Sequence, residues 1–226
     1  MEPMAHSELG IPFGQGELPA LLDVADAPIA LCVVAHGAGN GMRSPFLSGV
    51  AAGLAEGGVS SLRFDFPYMQ AGRKAPDRAP VLIAAWRAVL EVAADRAFGL
   101  PLVASGKSLG GRMASVLAAE DGPAFAADTL VFFGYPLHAP GRSDKPRDEH
   151  FAAVTVPMLF IQGTSDALAT FSLVQDLVKR LAPLARLEAI EGGDHSFRVR
   201  GARRPDEEIG RDLGGVAASF VREVVT

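Results

Sequence analysis

Cysteine is almost missing from this chain. Cys32 is the only one in 226 residues, so no internal disulfide can form and a cysteine-rich zinc site is excluded. Excess basic charge is missing too. Lys plus Arg total 21 against 26 for Asp plus Glu, a formal net charge of −5, which argues against a nucleic-acid partner. No apolar run approaches the roughly 18 residues of a membrane-spanning helix, so no membrane association is expected. The first 28 residues carry Glu2, Pro3, Glu8, Pro12 and Pro19 and lack the basic start and apolar stretch of a secretory leader. A cytoplasmic location is the resulting expectation. There is no internal repeat and no Ser/Gly-rich linker, so residues 1–226 are read as one domain, with 1–28 an N-terminal extension or edge hairpin. Nothing in the composition speaks to oligomeric state.

What is present is an alternation of short apolar runs and longer amphipathic ones. Hydrophobic residues make up 49% and charged residues 21%, enough apolar material for a sizeable core without metal or disulfide support. Ile29–Ala35, Val59–Phe64, Leu102–Ser105, Thr129–Phe133, Val156–Ile161 and Arg186–Ile190 read as strands. The continuously apolar ones suit a sheet buried on both faces. Between and after them, Ser44–Glu56, Pro80–Ala97, Leu109–Ala119, Phe171–Leu181 and Glu207–Val224 show helical spacing. The pattern predicts an α/β fold: a mostly parallel sheet with helices on both faces and ligand chemistry at the carboxyl ends of the strands. The stretches Tyr68–Asp77 and Pro136–His150 are expected to hang over that edge.

Gly106-Lys107-Ser108-Leu109-Gly110 fits G-x-S-x-G between an apolar strand and a helical run, the setting in which a tight turn lifts a serine hydroxyl above a sheet. Gly106-Lys107-Ser108 also echoes the end of a phosphate-binding loop. That motif needs a glycine where Pro101 stands, so a nucleotide site is not expected. A serine needs a base. Of the five histidines, His195 in Gly193-Asp194-His195-Ser196-Phe197 lies just past the last predicted strand, at the same edge. His36 reads as a loop-shaping residue. A carboxylate must orient the imidazole. Asp166, in Gln162-Gly163-Thr164-Ser165-Asp166, follows a strand at that edge and is preferred over Asp194, whose neighbouring position suits it poorly. The loop His36-Gly37-Ala38-Gly39-Asn40 can supply an oxyanion-binding amide from Ala38, with Leu109 the second donor. Asp65 reads as a turn former.

These motifs in this order resemble a compact group of α/β-hydrolases related to the dienelactone hydrolases. AHGAGNGMRSPF, LRFDFPY, GKSLGGRMAS, GYPLHAPG, LFIQGTSD and GGDHSF carry the resemblance, which spans residue 29 to the end. It implies an α/β-hydrolase fold, a catalytic Ser108–Asp166–His195 triad, no cofactor and no metal. Dienelactone hydrolases proper use a cysteine where Ser108 stands, so lactone specificity does not carry over. Ala167 replaces a proline found in many relatives. The implied activity is cleavage of a small ester, thioester or similar acyl bond through an acyl-enzyme, with a small-molecule acyl substrate as the partner. The competing reading is a non-catalytic binding or scaffold protein on the same fold. About twenty residues separate the strands near Phe133 and Val156, too few for a large cap domain. Asn40, Met42, Tyr68, Met69, Tyr135, Leu137, Leu168 and Phe197 are candidate walls of an open substrate pocket, unless they pack beneath the loops. Lys107, Arg43, Arg73, Lys74, Arg142 and Lys145 near the edge are read as solvated surface, with attraction of an acidic substrate as the alternative.

Overall fold

A computed structural model describes residues 6–225. Two strands, β1 (His6–Phe13) and β2 (Gly16–Asp23), form an antiparallel hairpin, so the amino-terminal segment takes the edge-hairpin form from His6 onward. Residues 1–5 lie outside the described residues. Then come β3 (Ala30–Ala35), α1 (Pro45–Glu56), β4 (Val59–Phe64), the short α2 (Pro67–Gln70), α3 (Ala79–Arg96), β5 (Leu102–Lys107) and α4 (Leu109–Asp121). β6 (Thr129–Phe133), β7 (Met158–Gly163), α5 (Phe171–Arg180), β8 (Ala185–Ile190) and α6 (Asp206–Val225) follow. The strands make one eight-stranded sheet in the order β1-β2-β4-β3-β5-β6-β7-β8. β2 meets β4 antiparallel, and every pair from β4 to β8 is parallel.

The apolar runs become strands because their alternate residues feed two separate cores. In β3, Ala30, Cys32 and Val34 face α1 and α6, while Leu31, Val33 and Ala35 face the side of α3, α4 and α5. Val103, Val131, Phe133, Leu159 and Ile161 join the first core. Ala104, Leu130, Phe132, Met158 and Phe160 join the second. Such two-sided burial is what a parallel sheet covered by crossover helices requires. Ser44 caps α1 by accepting a bond from the Leu47 amide, with Pro45 opening the helix.

Parallel crossovers bring the carboxyl ends of β3 to β8 to one edge. The β6–β7 connection, residues 134–157, contains one 3-10 turn, Glu149–Ala153, and no cap domain. It meets α4 through His150, whose Nε2 lies 2.8 Å from Ser115 Oγ, while the Phe151 ring packs 5.2 Å from Tyr135 and 5.8 Å from Phe132.

Candidate active site

The turn from β5 into α4 is built by its glycines. A Cβ on Gly106 would lie 2.4 Å from the Gly111 nitrogen, and one on Gly110 would lie 2.7 Å from the carbonyl oxygens of both Ala35 and His36. Neither position tolerates a side chain, so β5, α4 and the end of β3 close to backbone contact. Ser108 at the apex has φ +50° and ψ −112°, a strained conformation for a residue with a side chain. Its amide donates to Phe133 O at 3.1 Å, and Trp86 Nε1 on α3 donates to Gly110 O at 3.0 Å. The elbow is thus pinned from β6 and from α3.

Three side chains from three loops meet above it. Ser108 Oγ lies 2.9 Å from His195 Nε2, and His195 Nδ1 lies 2.7 Å from Asp166 Oδ2. The carboxylate accepts a hydrogen bond from Nδ1–H, which leaves Nε2 free to accept from the serine hydroxyl. The Asp166 side chain is fully buried, whereas a quarter of the His195 side chain is exposed. Asp166 also accepts from Gln162 Nε2 at 2.6 Å and from the Leu168 amide at 2.7 Å. Asp194 turns away: its Oδ1 accepts from the amides of Ser196 and Arg198 and shapes the turn that carries His195.

The loop after β3 approaches the same point. Gly37 packs against Lys107 and Ser108, and Ala38, Gly39 and Asn40 are exposed beside them. Leu109 is the first residue of α4, so its N–H has no acceptor within the helix. His36 shapes this loop, as its sequence context implies. Nδ1 donates to Gly37 O at 2.8 Å and Nε2 accepts from the Phe66 amide at 3.1 Å. Burial holds its pKa below the usual histidine value, against a weaker opposing pull from the Gly37 carbonyl and Asp65. Asp65 accepts from the Met42 amide at 2.7 Å and so ties the β3 and β4 loops together.

The expected walls divide. Asn40 is exposed and Leu168 half-buried at the rim. Met42, Tyr68, Tyr135, Leu137 and Phe197 are at most 3% exposed and pack beneath the loops. This corrects their assignment as pocket walls in favour of the other option, packing beneath the loops, and ring contacts show it for the three aromatics. Tyr68 stacks at 6.3 Å on Phe66, Tyr135 lies 5.4 Å from Phe132, and Phe197 stacks at 5.8 Å on Phe46. The edge cations divide as well. Arg43, Arg73 and Arg142 pair with Glu8, Asp77 and Asp144, while Lys74 and Lys145 are exposed. Lys107 points inward, with Nζ 2.6 Å from His195 O, so it is not solvated surface. Gln162 is a member of the site that sequence reasoning misses. It joins Asp166 to Tyr135, whose amide donates to Gln162 Oε1 at 2.9 Å, and only its place in the strand before Asp166 hints at this.

Among the described residues no three His, Cys, Asp or Glu side chains gather as a metal site, and no helix is long and apolar enough to cross a membrane. The Cys32 thiol is buried and pushed up to about 12, so it is no competing nucleophile. A cavity of about 1040 Å³ lies away from the triad, where β2, α1 and α6 meet over Asp23 and Arg63.

A sequence profile of the alpha/beta hydrolase domain family matches residues 28–221. Among solved structures, the chain is similar to an a/b serine hydrolase without lid from Xanthomonas campestris, at 23% identity and a TM-score of 0.75 over 99% of this chain and 96% of that one. A dienelactone hydrolase from Anabaena variabilis superposes at 20% identity and a TM-score of 0.78 over 100% of both chains. The esterase domain of a Rhodothermus marinus protein does so at 16% identity and a TM-score of 0.72, covering 99% of this chain and 100% of that one. At these identities the likeness is one of fold.

Proposed function

The chain belongs to the alpha/beta hydrolase domain family, and from that premise we propose that it is a serine hydrolase cleaving small ester-type acyl bonds. One observation carries the reading: the unbroken path Ser108 Oγ, His195 Nε2, His195 Nδ1, Asp166 Oδ2, with steps of 2.9 and 2.7 Å across the ring. In this reading His195 removes the Ser108 proton as the oxygen attacks the substrate carbonyl. The amides of Ala38 and Leu109 receive the oxyanion, the second helped by the positive end of α4. His195 then hands its proton to the leaving alcohol or thiol. Water, activated by the same imidazole, frees the acyl group from Ser108. No step calls for a cofactor.

The rim argues for short, soluble acyl groups. Ala38 and Asn40 are exposed, Leu168 is half-buried, and most of the aromatic residues that would line a deep acyl tunnel are committed to packing. Dienelactone hydrolase and esterase, the descriptions of two structural neighbours, fit acyl–oxygen substrates.

A fluorophosphonate probe and a series of p-nitrophenyl esters test this. The native chain is expected to label at Ser108 and to prefer short acyl chains, and Ser108→Ala to lose both labelling and turnover while melting normally. A folded chain that neither labels nor hydrolyses any ester, or a Ser108→Ala variant that turns over normally, ends the proposal.

A further inference from the structure

Lys107 immediately precedes the nucleophile and has no part in the route above, yet its ammonium reaches across to the loop that carries the base. We propose that Lys107 is a positioning residue whose ammonium clips the main chain of His195 and so holds the imidazole between Ser108 and Asp166. This rests on the serine hydrolase reading.

Four observations converge. Nζ donates to His195 O at 2.6 Å, a contact between residues 88 apart in sequence. The ammonium also sits 5.3 Å from the centre of the Phe197 ring, two residues past the base. Phe197 has φ +63°, an uncommon conformation for an aromatic residue, and its amide donates to Asp194 O at 2.9 Å to close the turn. Gly134, with φ +69°, leaves the space: a Cβ there would lie 3.1 Å from Nζ and 3.3 Å from His195 O. Elbow, β6 turn and histidine loop therefore meet at one cation.

The charged groups facing Lys107 are Asp166 from the loop after β7 and Asp194 from the loop after β8. The β6 turn offers it only backbone. Desolvation outweighs both carboxylates and brings the Lys107 pKa down to about 8. A purely structural lysine would be a poor choice here, since a buried cation costs stability that an apolar side chain of similar length would not. Holding the base is a reason to keep it.

That contrast sets the test, which uses the full chain, Lys107→Met, and steady-state hydrolysis of a p-nitrophenyl ester beside thermal melting. The variant is expected to melt no lower than the native chain. Its kcat should fall about 10- to 100-fold, with KM changed by less than about twofold, because misplacing a reacting group by an ångström costs that much. In the native chain kcat should decline above about pH 8 as the ammonium becomes a weaker neutral donor, and the variant should lack that decline. A variant kcat within about threefold of native, a loss confined to KM, or a loss that merely tracks unfolding overturns the clip. If Lys107→Met fails to fold, the native pH profile decides, and a kcat flat from neutral to alkaline pH overturns it. A native chain inert to both probe and ester sinks the hydrolase reading. An active native chain with an unimpaired variant sinks only the clip.

Discussion

Asp166 accepts three hydrogen bonds inside the protein: from His195 Nδ1 at 2.7 Å, from Gln162 Nε2 at 2.6 Å and from the Leu168 amide at 2.7 Å. Three donors around one buried carboxylate fix its direction. Asp166→Asn keeps the shape but has one oxygen for three donors. Its amide NH2 will then face a donor, and the imidazole will turn to the wrong tautomer. The expected result is a fall in kcat of about 10³- to 10⁴-fold with the fold retained, read by ester hydrolysis and by melting. Gln162→Leu should act mainly on stability, since it leaves the buried Tyr135 amide unpaired and Asp166 one donor short. A loss of about 1–3 kcal/mol in urea unfolding is expected. At this scale the sequence is informative where chemistry comes with a local signature. Ser108 sits between paired glycines, and Asp166 and His195 each follow a strand. It is silent where the deciding partner is remote. Nothing near Lys107 in the chain announces His195 O, and nothing near Tyr135 announces the rings of Phe151 and Phe160 that help to bury it.

Among the elements, the contact of α1 with α6 depends on the absence of side chains. A Cβ on Gly53 would lie 2.0 Å from Arg211 O, and one on Gly214 would lie 2.4 Å from Val50 O. Replacing a helical glycine by alanine ordinarily stabilises by about 0.5–1 kcal/mol, through the entropy of the unfolded chain. At Gly53 the clash is with backbone, which cannot swing aside. Gly53→Ala is therefore expected to destabilise by about 1–3 kcal/mol or more as the helices are forced apart. Gly215, on the same helix α6, faces open space: a Cβ there would meet nothing within 4 Å, and Gly215→Ala should show the ordinary gain. Opposite signs for the two substitutions in urea midpoints are the check; equal signs refute the packing account. The same dependence on tertiary context explains which elements are legible in the sequence. β3 to β7 are buried on both sides, so their apolar runs stand out, and β8 is still readable at the far edge. The β1–β2 hairpin reads only as one of two options, because Glu8, Gly10, Pro12, Glu17 and Pro19 are residues an edge strand tolerates and a propensity scale does not reward.

For the whole molecule, buried bases contribute to how stability follows pH. His150 on the β6–β7 connection has Nε2 2.8 Å from Ser115 Oγ. Desolvation first, and then the neighbouring Arg112 cation, lower its pKa from 6.5 to about 4, with Asp148 opposing. Burial lowers His36 in the same direction. A base whose folded pKa lies below its unfolded one binds protons more readily when unfolded. The fold therefore suffers no penalty from His150 above about pH 7, loses stability as pH falls from about 6.5 toward 4, and loses no more below that. His150 is only half-buried, so solvent screening trims the effect to on the order of 1 kcal/mol between pH 7 and 5. Lys107 obeys the same rule in a higher window: its penalty persists below about pH 8 and is relieved as pH climbs toward 10.5. Stability should thus lean toward the alkaline side while kcat, if the ammonium holds the base, declines there. His150→Gln keeps a donor for Ser115 and removes the titration, so its urea midpoint should change less between pH 7 and 5 than that of the native chain. A variant whose acid sensitivity equals the native one would assign the loss elsewhere, to His36 or to the carboxylates that pair across the surface.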